Sequence, residues 1–153
     1  MENTVRRLSA VQLDSISTVD RAHRLTISSR AGAFPDEIVS QLLADGRLFE
    51  YWAHEACLLP IELWPHFRRT MDGPGHWGGH DRALRDHAEL VEPILGRIRE
   101  EGALSSRAFE GQGHGGMWNW KPAKMVLDAL WDKGVLVTTS RRNFQRHYDL
   151  AER

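Results

Sequence analysis

GALSSRAFEGQGHGGMWNWKPAKMVLDALWDKGVLVTTSRRNFQRHYDL, residues 102 to 150, carries the signals for a short turn, a helix and a pair of strands in one stretch. Gly102 closes a preceding helix whose Leu90, Val91, Ile94, Leu95 and Ile98 recur at helical spacing. Ser105 or Ser106 can cap the following turn, with Ala108 and Phe109 facing inward. Beyond the glycine-rich run Gly111 to Gly116, a longer helix is expected from about Pro122. It would bury Val126, Leu127, Leu130 and Trp131 on one stripe and stop at Gly134. Val135, Leu136 and Val137 are strand formers. Ser140 to Asn143 are expected to turn the chain, and Phe144 to Leu150 to return as the partner strand.

Short helix, longer helix, then hairpin is the order of the winged-helix form of helix-turn-helix. Four Lys or Arg residues and no acid lie between Lys133 and Tyr148, in a chain of net charge -1. Arg141 and Arg142 stand at the hairpin, and Lys121 and Lys124 at the start of the helix. These four are the candidates for phosphate contact, since such a helix can enter a major groove while a basic hairpin tracks the backbone. Winged helices also serve as protein adaptors, and an Arg-Arg turn can be a solvated edge, so the stretch alone leaves both partners open. Trp118 and Trp120 read as packing that fixes the helix rather than as base-stacking groups.

With 153 residues and 41% hydrophobic content the chain can fill one ordinary core or two small ones. The single Cys57 excludes an internal disulfide and, between Ala56 and Leu58, reads as a small core residue. No stretch approaches the roughly 18 apolar residues of a membrane span. Met1 to Leu8 lacks the apolar core of a signal peptide, so a cytoplasmic protein is expected, nucleoid-associated when bound to DNA. The sequence pI of about 6.7 excludes a globally basic footprint and confines nucleic-acid binding to local patches. No heptad or long apolar dimer helix is present, which favours a monomer.

Working outward from the hairpin stretch, Asp72-Gly73-Pro74-Gly75 and Gly78-Gly79 break regular structure. We therefore expect a partial N-terminal winged-helix unit over 1–71, a Gly-rich linker over 72–79 and a winged-helix DNA-binding unit over 80–153. The fold class is α+β, mainly helical, with tandem winged units and short β-hairpin wings. No internal sequence repeat is evident.

In the N-terminal unit, Val11 and Leu13 alternate with Gln12 and Asp14. On a strand, Gln12 and Asp14 share a face, whereas on a helix they would stand about 200° apart. Pro35-Asp36-Glu37 opens a helix carrying Ile38, Leu42 and Leu43, closed by Asp45-Gly46. The run Leu48 to Glu55 mixes aromatics with Glu50, His54 and Glu55, costly if buried and so expected to be hydrogen-bonded structure; His54 and Glu55 are retained as supporting candidates. His76, His80 and His87 lie close in sequence, but no cysteine pair or metal-binding spacing accompanies them, and no metal or other cofactor is expected. Phosphate-loop and dinucleotide glycine motifs are absent from the sequence.

Val11-Gln12-Leu13-Asp14, Leu48 to Ala56, Leu59-Pro60, Trp118 to Pro122, Arg141-Arg142 and Tyr148-Asp149-Leu150 form an ordered series. With them the chain resembles, over nearly its whole length, the winged-helix DNA glycosylases that unhook interstrand crosslinks. The resemblance implies tandem winged helices acting on double-stranded DNA and release of alkylated purines, including N7-linked crosslinks. It also implies a catalytic signature of Gln, an apolar residue, then Gln or Asp, which Gln12-Leu13-Asp14 matches in its Gln-x-Asp form. Family chains begin with a helical segment before this motif and continue past Tyr-Asp-Leu, so the chain reads as a fragment truncated at both ends. The competing reading is a non-catalytic winged-helix DNA-binding protein, akin to a transcription regulator, or an inactive fragment.

Overall fold

Strands β4 (Leu136–Arg142) and β5 (Gln145–Leu150) pair antiparallel with Arg142 opposite Gln145, so the hairpin turns at Asn143 and Phe144 rather than at Ser140 to Asn143. Both turn residues have positive φ, 49° and 64°, as a two-residue hairpin loop that follows the right-handed strand twist requires. Asn tolerates that conformation and Phe does not. Phe144 is held there by Arg141, whose Nη1 donates to its carbonyl at 2.6 Å and whose guanidinium lies 4.3 Å from its ring centroid. Arg141 and Arg142 are consequently strand residues, with fixed directions.

The computed structural model describes residues 1–35, 37–73, 78–109 and 122–153. In chain order it runs α1 (Glu2–Leu8), β1 (Val11–Gln12), α2 (Ala22–Ala31), α3 (Glu37–Ala44), β2 (Leu48–Trp52) and β3 (Ala56–Pro60). Then follow α4 (Trp64–Met71), α5 (His80–Asp86), α6 (Val91–Glu101), α7 (Pro122–Asp132) and the β4–β5 hairpin. The fold is α+β, and no helix among the described residues is long and apolar enough to cross a membrane.

One order of elements occurs twice. In the first half, α1 ends at Ser9 with φ 62°, the chain extends into β1, and β1 pairs with β3, the far strand of the β2–β3 hairpin. In the second half, α6 ends at Gly102 with φ 84°, and Leu104 forms a bridge to Tyr148 in β5, the far strand of the β4–β5 hairpin. Each helix is thus followed, two residues beyond a positive-φ residue, by an extended segment on the outer side of its own hairpin. The sequence shows no such repeat because a few backbone conformations define it, and many side chains satisfy them.

Period-two alternation explains how the halves join. Val11, Leu13, Leu48 and Leu58 point from one face of the three-stranded sheet into a cluster with Val5, Ile27, Leu42 and Leu43. Phe49, Tyr51, Cys57 and Leu59 point from the other face into a cluster with Met71, Ile98, Leu127 and Trp131. The sheet is therefore covered on both faces, and the larger core is continuous from the first half into the second. Cys57 is fully buried in it, as expected of a small core residue, and burial pushes its thiol up.

The helix α7 departs from its expected single apolar stripe, since every residue from Val126 to Asp132 is buried. Enclosed in this way, it has no broad free face to lay into a groove. Gly134, with φ 66°, ends it where Met71 presses in; a Cβ there would lie 2.4 Å from the Met71 sulfur. Gly134→Ala is therefore expected to cost about 1–3 kcal/mol, through the left-handed backbone and the overpacked contact, read as a lower urea midpoint.

Candidate active site and basic cleft

β1 is short, but the Leu13 N–H donates to the Ala56 carbonyl at 2.7 Å and carries the ladder one residue past Gln12. Val11 and Leu13 are 2% and 7% exposed, fixed in the core, while Gln12 is exposed and Asp14 partly so. Alternation thus turns Gln12 and Asp14 outward on a pinned backbone. One Asp14 carboxylate oxygen, Oδ1, accepts the Ile16 N–H at 2.8 Å, a local turn that orients the group. Among the described residues this is the one hydrogen bond given to that carboxylate, which leaves Oδ2 uncommitted.

His54 and Glu55 lie exposed at the β2–β3 turn, at the end of the sheet where the chain leaves β1 toward Asp14. The His54 Nδ1 is 3.8 Å from the Cys57 sulfur. In the second repeat, counting from Gly102 as from Ser9, the places of Gln12 and Asp14 are taken by Ser105 and Arg107. The amide-carboxylate pair belongs to the first repeat alone.

The buried charge of the Leu48 to Glu55 run is Glu50. Its side chain is fully enclosed and accepts two bonds from Arg141, at 2.7 and 2.8 Å, and one from Arg146 at 2.5 Å. Arg146 also reaches Asp128 Oδ1 at 3.4 Å and stacks on Trp131, its guanidinium 4.0 Å from the ring centroid. Asp128 accepts the Tyr148 hydroxyl at 2.7 Å and Lys124 Nζ at 2.5 Å. Burial pushes the Glu50 carboxyl up, but the two guanidiniums outweigh it and hold the group below the usual carboxylate range.

This network engages part of the expected phosphate-contact set. Arg141, with a side chain 14% exposed, is seated on Glu50, and Lys124 reaches Asp128. Lys121 lies outside the described residues. Arg142 is exposed, and no ion pair or side-chain hydrogen bond engages it among the described residues. Of the histidines weighed as metal ligands, His80 sits 2.9 Å from Asp132 and His87 4.0 Å from Glu89, while His76 is outside the described residues.

Between the β4–β5 tip and the helices α2 and α3 opens a cleft of about 490 Å³. Arg21, His23, Arg24, Ser40, Arg142 and Phe144 line it, and Leu13 forms part of its wall, between Gln12 and Asp14 in the chain. Arg21 stacks on Phe144 with its guanidinium 4.8 Å from the ring centroid. Arg24 is paired with Asp20 at 2.9 Å. Arg21, His23 and Arg24 are not among the residues expected to act; their signal is the run Asp20-Arg21-Ala22-His23-Arg24, which sets two arginines three residues apart at the start of α2.

His23 is 7% exposed, and burial, then the charges of Arg21, Arg141 and Arg24, lower its pKa to about 4. An unfolded histidine titrates near 6.5, so between pH 6.5 and 4 the unfolded chain binds the extra proton and acid erodes stability. In that window His23 should contribute a slope of up to about 1.4 kcal/mol per pH unit. Urea titrations at pH 7 and 4.5 should show a smaller acid loss in His23→Gln than in the parent; equal losses would remove His23 as the source.

A family model described as DNA glycosylase AlkZ-like matches residues 5–153. No solved structure matches the chain.

Proposed function

The chain belongs to the AlkZ-like DNA glycosylase family, and from that premise we propose that it hydrolyses the N-glycosidic bond of N7-alkylated purines in double-stranded DNA, unhooking N7-linked interstrand crosslinks. The observation that carries this reading is the outward pair Gln12 and Asp14 on a strand anchored by Val11 and Leu13.

An N7-alkylated purine is already cationic and leaves without further protonation, so the demand falls on the sugar. As the bond lengthens, C1′ gains oxocarbenium character. The Asp14 carboxylate stabilises that charge and takes a proton from the attacking water as it adds to C1′. The Gln12 amide can accept from the water and donate to the sugar or carboxylate at once, which suits positioning rather than proton transfer. His54 and Glu55, at the same end of the sheet, act in support.

The repeated order of helix, extended segment, helix and hairpin is read as two winged helices in tandem. Because α7 is enclosed, duplex is engaged through hairpin tips and basic surface rather than by burying that helix in a groove. The protein works as a cytoplasmic monomer, nucleoid-associated on DNA.

A duplex with one N7-methylguanine, incubated with the chain and heated in alkali to break any abasic site, tests this reading. Strand cleavage at the lesion, absent from undamaged duplex, is the expected result. A folded chain that binds duplex by sequence and leaves the lesion intact would instead be a non-catalytic DNA-binding protein.

A further inference from the structure

The cleft beside Leu13 carries a more specific assignment. We propose that it is a seat for a DNA backbone phosphate, holding the strand in register with the Gln12–Asp14 edge; the identity of the ligand as DNA rests on the glycosylase reading.

Charge is the first support. The buried cluster behind the cleft balances two cations, Arg141 and Arg146, against two carboxylates, Glu50 and Asp128. Arg21 and Arg142 add two positive charges at the cleft wall, and Glu37, also on the wall, removes one. A chain of net charge -1 thus concentrates positive charge at one concave place.

Unmet hydrogen bonding is the second. Arg21 Nε and His23 Nδ1 are both buried without a hydrogen-bond partner among the described residues. Burying such atoms unpaired is unfavourable, and a ligand oxygen would relieve that cost. The Ser40 hydroxyl, which accepts the Arg141 N–H at 3.4 Å, still has its own proton to donate. Guanidinium forks fit phosphate oxygens in pairs, and Arg21 and Arg142 approach from opposite halves of the chain.

The third support is position. Leu13 contributes to the cleft wall and is also the residue between Gln12 and Asp14. A phosphate in the cleft therefore lies next to the strand that presents the proposed catalytic pair. Glu50 takes part indirectly, since its hold on Arg141 fixes the hairpin tip from which Arg142 projects.

The test is the salt dependence of binding of the full chain to an undamaged 20-base-pair duplex. Each phosphate contact contributes a slope of about 0.9 in log Kd against log salt concentration. Arg21→Gln with Arg142→Gln should empty the seat and lower that slope by about 0.9. Arg142→Gln alone changes an exposed residue that supports no described contact, and should lower it measurably, by up to about 0.9, in a folded chain. An unchanged slope in the folded single variant, or no duplex binding by the parent, overturns the seat. Because the duplex is undamaged, the two readings fail separately: base release with an unchanged slope sinks only the seat, and a lowered slope without base release sinks only the activity.

Discussion

Asp14→Asn is expected to bind a duplex containing N7-methylguanine with near-parental affinity and to release the base about 10² to 10⁴-fold more slowly, the usual contribution of a positioned proton acceptor. Asn keeps the size of the side chain and can keep the local bond to the Ile16 N–H, so the turn and the strand survive. What is lost is the negative charge opposite C1′ and the ability to take the proton from water. Since the residue lies outside the core, the variant should unfold at the parental urea concentration. A single-turnover time course on the lesion duplex, with Kd measured alongside, separates chemistry from binding. Undiminished release would remove Asp14 from the mechanism, and a matched loss of affinity would make it a DNA contact instead. Gln12→Ala, which keeps the carboxylate and loses only a positioning group, should cost less.

Glu50→Gln should produce the largest loss of stability. The neutral amide leaves Arg141 and Arg146 buried without their shared carboxylate, and breaking a buried pair by removing one partner costs about 3–5 kcal/mol. That is a large part of the 5–15 kcal/mol that holds a typical domain together, and it should lower Tm by on the order of 10 °C. Lost partnership rather than lost volume is the cause, so Glu50→Gln combined with Arg141→Gln should cost less than the two changes summed. Exact additivity in that cycle would mean the pair contributes no coupling. The same pair sets an acid limit. Glu50, held below the usual 4.5, contributes stability that is complete above that value and is lost as pH falls through its own lower pKa.

The elements legible in the sequence are those whose signals are short-range. Two or three residues suffice to set Val11 and Leu13 inward against Gln12 and Asp14, and the structure shows that alternation on β1 and its extension. The apolar spacing from Val91 to Ile98 gave α6, and Gly102 and Gly134 stop helices with the positive φ expected of glycine. The β4–β5 hairpin was legible as well, but its turn was displaced. Phe144 adopts an unfavourable conformation that only the arginines packed around it sustain, and local propensity does not contain them.

Local sequence was enough for α3, α6, α7 and the existence of the β4–β5 hairpin, for the side of β1 that carries the amide and the carboxylate, and for the family to which the motifs belong. Tertiary structure alone decided the fate of the charges. Glu50 meets Arg141 and Arg146 across 91 and 96 residues, a pairing of a buried carboxylate that no local pattern contains. Arg21 and His23 meet the second hairpin in a cleft whose two walls lie a hundred or more residues apart in the chain. Periodicity is set by neighbours a few bonds away and survives any packing. Charge pairing depends on where two distant segments come to rest, which is fixed only when the apolar faces of the first sheet are both covered.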